Sequence, residues 1–123
     1  MRSLDALLEE AKWGQLTDRE IAYVVDQIKA STPDNDGNLY TLIYTLGRSG
    51  EKQYRKLVEK FLYYPTNPMI SKIALETLGG YWNFAGAYLD KIKEFIRGVE
   101  WDDENDVKIM ALTLAGVYLR NNE

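Results

Sequence analysis

One pattern recurs three times along this 123-residue chain, and it limits what the chain can become. Each copy is an amphipathic helix, a polar turn, and a second helix rich in small residues that ends near a glycine. The glycines of the second helices are Gly47, Gly79 and Gly116, spaced 32 and 37 residues apart. The apolar stripes of the first helices begin at Ile21, Tyr54 and Leu89, spaced 33 and 35 residues apart. Two independent markers thus share a period, and helical periods in this range belong to stacked helix pairs. One pair cannot bury its own apolar face, whereas three stacked pairs make one continuous core.

The central copy is the clearest. Over Asn67 to Gly80 the chain reads N-P-M-I-S-K-I-A-L-E-T-L-G-G. Asn67 can cap a helix and Pro68 suits its first position. Ile70, Ile73, Ala74 and Leu78 fall on one face, with Leu75 at its edge. Gly79 and Gly80 are expected to stop the helix in the left-handed region. Elsewhere, Leu4, Leu7, Leu8 and Ala11 make a short first stripe that Trp13-Gly14 ends. Thr17 and Glu20 form a capping box ahead of Ile21, Val24, Val25 and Ile28. Leu39, Leu42, Ile43 and Leu46 make the next stripe, closed by Gly47 and Gly50. Tyr54, Leu57, Val58 and Phe61 make the fourth. Leu89, Ile92 and Ile96, with Phe95 beside them, make the sixth, which Gly98 ends. Val107, Met110, Ala111, Leu114 and Tyr118 make the last.

The second-helix motif resembles HEAT repeats, where an acidic or Asn-Pro turn precedes a helix of the form V-x-x-x-A-x-x-A-L-G. Thr66 to Gly79 matches well and Asp102 to Gly116 moderately, while Asn38 to Gly47 is degenerate. The period is shorter than the roughly 40–47 residues of standard units. The arginine usual after the valine is replaced by Ser71 and Lys108. The resemblance implies one all-α domain over residues 1–123. Its architecture would be a short α-solenoid of about three HEAT-like pairs, at about 17–47, 51–80 and 86–119, with a capping helix at about 3–13.

Composition narrows the chemistry. Neither histidine nor cysteine is present, which removes Ser-His-Asp and Cys-His catalysis, thiolate metal sites and disulfides. The net charge of −4 and a pI near 4.9 disfavour nucleic acid and favour a basic partner. No apolar run reaches membrane length and the N-terminus lacks a signal pattern, so a cytoplasmic location is expected. Asp34, Asp36 and Asn38 alternate like calcium ligands. The glycine of that loop is misplaced and Thr45 stands where a glutamate is required, so helix capping is the better reading. No metal, cofactor or catalytic residue is assigned.

Solenoids bind partners along the face lined by their second helices. Tyr40 and Tyr44, with Lys72 and Glu76 on the next second helix, are candidates there, unless the tyrosines simply pack on a neighbour. Tyr81 and Trp82 lie in an aromatic connector and are candidates for interface anchors, although a connector aromatic often tucks over the core. Glu100 to Asp106 holds five acids and no base. Its Trp101, Asp102, Asp103 and Glu104 can steer a basic protein, while one or two of the acids cap the last helix. The Lys52, Arg55, Lys56 and Lys60 stripe reads as a solvated helix face. The expected function is a non-catalytic protein-binding module, specifically an immunity protein blocking a basic, nuclease-type bacterial toxin. The alternative is a HEAT-like scaffold or accessory domain of an enzyme or chromophore-lyase assembly.

Overall fold

The computed structural model describes residues 2–122. Seven α-helices are formed among the described residues: α1 (Leu4–Lys12), α2 (Asp18–Ala30), α3 (Leu39–Arg48), α4 (Arg55–Glu59), α5 (Pro68–Leu75), α6 (Leu89–Arg97) and α7 (Asp106–Asn121). Short 3-10 turns at Lys52–Tyr54 and Ala85–Tyr88 lead into α4 and α6. No β-strand forms among the described residues, where pairing is limited to an isolated bridge between Thr32 and Asn35. The all-α expectation therefore holds.

Local signals set most helix starts. Ser3 caps α1 by accepting from Ala6 N. Thr17 and Glu20 exchange both bonds of the capping box ahead of α2, satisfying two amides that the first turn would otherwise orphan. Asn67 accepts from Met69 N, with Pro68 in the first turn of α5. The 34–38 loop does not cap α3, because Asn38 makes no side-chain cap bond. Asp36 instead accepts a hydrogen bond from the Tyr64 hydroxyl at 2.7 Å.

Packing follows chain order. Each even-numbered helix packs on the odd-numbered helix after it: α2 on α3, α4 on α5, α6 on α7. The odd-numbered helices also pack in series, α1 on α3, α3 on α5 and α5 on α7. One continuous core results, running from Leu7 through Ile43, Leu46, Ile73 and Leu78 to Phe95, Ala111 and Leu114. In α6 the most buried residue is Phe95 rather than Ile96, which is only half-buried.

The glycines divide into two kinds. Gly14, Gly50 and Gly98 have positive φ and end helices as expected. Gly47 and Gly79 do not, and their role is close approach between helices. A Cβ on Gly47 would stand 2.7 Å from Thr77 Oγ1, and one on Gly79 would stand 2.7 Å from Leu114 Cδ1. Thr77 and Leu114 occupy equivalent places, each two residues before the next marker glycine. The continuation of α5 thus inserts Thr77 at the glycine of α3, and α7 inserts Leu114 at the glycine that follows α5.

The expected stop at Gly79-Gly80 is replaced by a continuation. The chain passes from α5 into a π-helical segment, Glu76–Tyr81, whose wide turn is closed by Trp82 N donating to Thr77 O at 2.9 Å. Two adjacent residues without Cβ atoms make that wide turn sterically accessible.

Candidate functional site

The second helices bring one set of candidates together. Tyr40 and Tyr44 sit four residues apart on α3 and therefore share a face. Their rings meet edge-on at 6.2 Å. Tyr81, at the end of the π segment, stacks on Tyr44 with centroids 6.0 Å apart and planes 13° apart. Cations border the cluster: Lys12 Nζ lies 5.8 Å from the Tyr44 ring centroid, and the Arg48 guanidinium 5.3 Å from that of Tyr81. Both distances suit cation–π attraction. Tyr40 and Tyr44 are half-buried and Tyr81 is exposed.

Glu76 contributes the negative charge of this surface. Partial burial, then the Glu76 carboxylate, then Tyr44 raise the Tyr40 phenol above its ordinary value. The same influences, opposed by Arg48, push Tyr81 up to about 12. These two phenols therefore remain neutral hydrogen-bond donors through the physiological range. Among the described residues neither Lys72 nor Glu76 forms a side-chain hydrogen bond or ion pair, and both are half-buried. They are charged groups held at a surface with capacity left for a partner.

Lys12, Trp13 and Arg48 were absent from the sequence-derived candidates. Trp13 is the C-cap of α1 and is 76% exposed. Its sequence signal is its position just past a helix end, which by itself marks only a stop. The approach of Lys12 to Tyr44 depends on α1 packing against α3.

Trp82 does not belong to this surface. It is 1% exposed, and its indole Nε1 donates to the Gly47 carbonyl at 3.1 Å. That carbonyl lies in the last turn of α3, where intrahelical partners run out. Trp82 ties the π segment to α3 and leaves its neighbour Tyr81 outside.

The acidic turn is assembled differently. Asp102 is 6% exposed and caps α7, its carboxylate accepting from Val107 N at 3.2 Å and Lys108 N at 3.0 Å. It is a structural group, so it leaves the set of free acids. Trp101 is half-buried, edge-on to Phe95 with centroids 6.2 Å apart. Asp103, Glu104 and Glu100 are exposed. Asn105 adopts left-handed backbone with φ 61°, a conformation asparagine tolerates better than most residues.

The basic stripe of α4 is divided. Arg55 Nε donates to the Tyr88 hydroxyl at 3.0 Å, and its guanidinium covers Phe84 at 4.8 Å. Lys56 pairs with Glu59 at 3.4 Å. Among the described residues no group of three or more acidic side chains is arranged to hold a metal. A groove of about 490 Å³ between Gly79, Asn83, Gly86, Leu114 and Tyr118 contains no charged side chain. Among the described residues no helix is long and apolar enough to cross a membrane. No family model matches the sequence, and neither a curated protein nor a solved structure matches it.

Proposed function

We propose that this chain is a HEAT-like α-solenoid serving as a non-catalytic protein-binding module, and that it is an immunity protein which blocks a basic, nuclease-type toxin. The observation that carries the binding role is the convergence of Tyr40, Tyr44 and Tyr81 from α3 and the π segment around Glu76. Tyrosines of this kind supply rigid contact area with a polar tip, the composition of interface hot spots. The pairwise packing of α2/α3, α4/α5 and α6/α7, with insertion at successive glycines, supports the solenoid reading.

The toxin assignment rests on charge. A chain of net charge −4 with exposed Glu100, Asp103 and Glu104 complements a cationic nuclease groove, where carboxylates take the place of phosphates. The partner's cations can lie over the tyrosine rings and pair with Glu76.

The test is capture of the partner from source cells on the tagged chain, followed by titration of the isolated pair. The expected partner is a basic nuclease-type domain whose activity falls to zero at one equivalent, with an association rate that drops as salt rises. Tyr44→Ala should weaken binding by at least about thirtyfold, the threshold of a hot spot. A captured partner of ordinary charge, whose activity is untouched by the chain, would overturn the toxin reading. Unchanged affinity in Tyr44→Ala and Tyr81→Ala would overturn the site.

A further inference from the structure

The rule that joins the odd-numbered helices leaves one place open. Thr77 fills the approach to Gly47, and Leu114 fills the approach to Gly79. Gly116 is the third glycine of the series, and a Cβ there would meet only Arg120 Nη1 of its own helix, at 3.9 Å. Around it α7 exposes Ile109 at 59%, Leu112 at 49% and Leu119 at 64%. With Gly116 these residues recur at i, i+3, i+7 and i+10, so they form one stripe opposite the buried Val107, Ala111 and Leu114. Among the described residues no helix covers this stripe.

We infer that the stripe is the contact face of a homodimer, in which α7 of one copy lies antiparallel on α7 of another. Charge selects this occupant. The flank of the stripe carries Asp106 in the first turn and Arg120 in the last. In an antiparallel pair centred between Leu112 and Gly116, Arg120 of each copy lies on the same flank as Asp106 of the other and two residues, about 3 Å, from it along the axis, within reach of a long side chain, giving two equivalent ion pairs. In a parallel pair the same residues stand level but on opposite flanks, so Arg120 would face the Ala115 and Leu119 flank of the other copy and meet no acid of the described residues there. The opposed helix dipoles favour the same orientation. Lys108, the other cation of the helix, lies on the opposite flank and faces no acid of the stripe.

Shape points the same way. In this register Leu112 of each copy faces Gly116 of the other and Ile109 faces Leu119. The side-chain-at-glycine contact used twice inside the fold is then repeated twice across the two-fold axis, as an isologous interface requires. One helix face is a small interface by the standards of stable complexes, so the dimer is concentration-dependent.

The experiment is sedimentation equilibrium of the full chain across a micromolar to millimolar series, with far-UV circular dichroism of every variant. The wild type should pass from monomer to dimer. Leu112→Asp should be monomeric throughout with an unchanged spectrum. Gly116→Leu should also be monomeric, although it adds exposed apolar area, because it fills the space the second helix needs. Asp106→Arg and Arg120→Asp should each weaken the dimer about tenfold, and the double exchange should restore it. A wild type that remains monomeric at millimolar concentration would overturn the inference. So would a dimer that Gly116→Leu strengthens, or one that the double exchange fails to restore.

Discussion

The tyrosine surface and the acidic turn flank the same central helix, and both are dense in groups suited to a partner. They differ in what holds them. The tyrosine surface gathers Tyr40 and Tyr44 from α3 and Tyr81 from beyond α5, so it exists only while those elements are packed. The acidic turn is a single loop, fixed locally by Asp102 at the start of α7. The first surface is therefore a product of the core, and the second is a product of its own sequence. Damage to the core should erase one and spare the other until the whole domain unfolds.

The strongest test removes the shared support. Leu78 is fully buried, and Leu78→Asp places an unpaired carboxylate where no cation can reach it. The cost should exceed about 4 kcal/mol, a large part of a typical domain's stability. Far-UV circular dichroism should show loss of helix. An unchanged melting curve would mean that the helix register described here is wrong.

Trp82→Ala should separate the two regions. Deleting a buried tryptophan costs roughly 3–5 kcal/mol, and here it also frees the π segment from the Gly47 carbonyl. Tyr81 should then leave Tyr44, while Trp101 stays on Phe95. Nuclear magnetic resonance shifts of the two sets of aromatic protons would report this directly. Equal disturbance of both sets would contradict a locally fixed acidic turn.

The same contrast explains what was legible in the sequence. Helices, caps and pair order follow from short-range spacing, which is why Thr17, Asn67 and the core stripe of α5 were readable. Tyr40 and Tyr44 were readable as a pair because four residues make one helical turn. The stacking of Tyr81 on Tyr44 was not, since it depends on a π turn and on where α5 docks. Nor was the identity of the anchor in Tyr81-Trp82. Either aromatic can go inside, and only the tertiary position of the Gly47 carbonyl decides. Gly47 and Gly79 misled for a related reason. A glycine near a helix end is usually a stop, whereas here it is the space into which Thr77 and Leu114 fit.

Within the acidic turn, position rather than charge should govern stability. Asp102→Ala removes a buried cap with two backbone bonds and should cost about 1–2 kcal/mol in chemical denaturation. Asp103→Ser and Glu104→Ser should fall within about 0.5 kcal/mol of wild type, because both side chains are exposed. Partner affinity should show the reverse order, with the Asp103→Ser, Glu104→Ser double variant losing association rate and Asp102→Asn losing little. Equal stability losses at all three positions would remove the distinction between cap and free acid.

The smallest effect distinguishes the two regions by pH. Tyr81 in the folded chain titrates near 12, against about 10 for an unperturbed phenol. Its folded value is raised, so its contribution to stability is complete below about pH 10 and is lost as pH climbs toward 12. Tyr81 is partly exposed, and solvent screening keeps that contribution below about 1 kcal/mol. Tyr64, also pushed up to about 12 by burial and Asp36, adds a loss over the same window from outside the surface. Denaturation midpoints should therefore decline between pH 10 and 12 in the wild type, less steeply in Tyr81→Phe, and least in the Tyr64→Phe, Tyr81→Phe double variant. Asp103→Ser should leave this alkaline decline unaltered, since no phenol answers to that carboxylate. A slope that Tyr81→Phe does not change would place Tyr81 in water rather than against Tyr44 and Glu76.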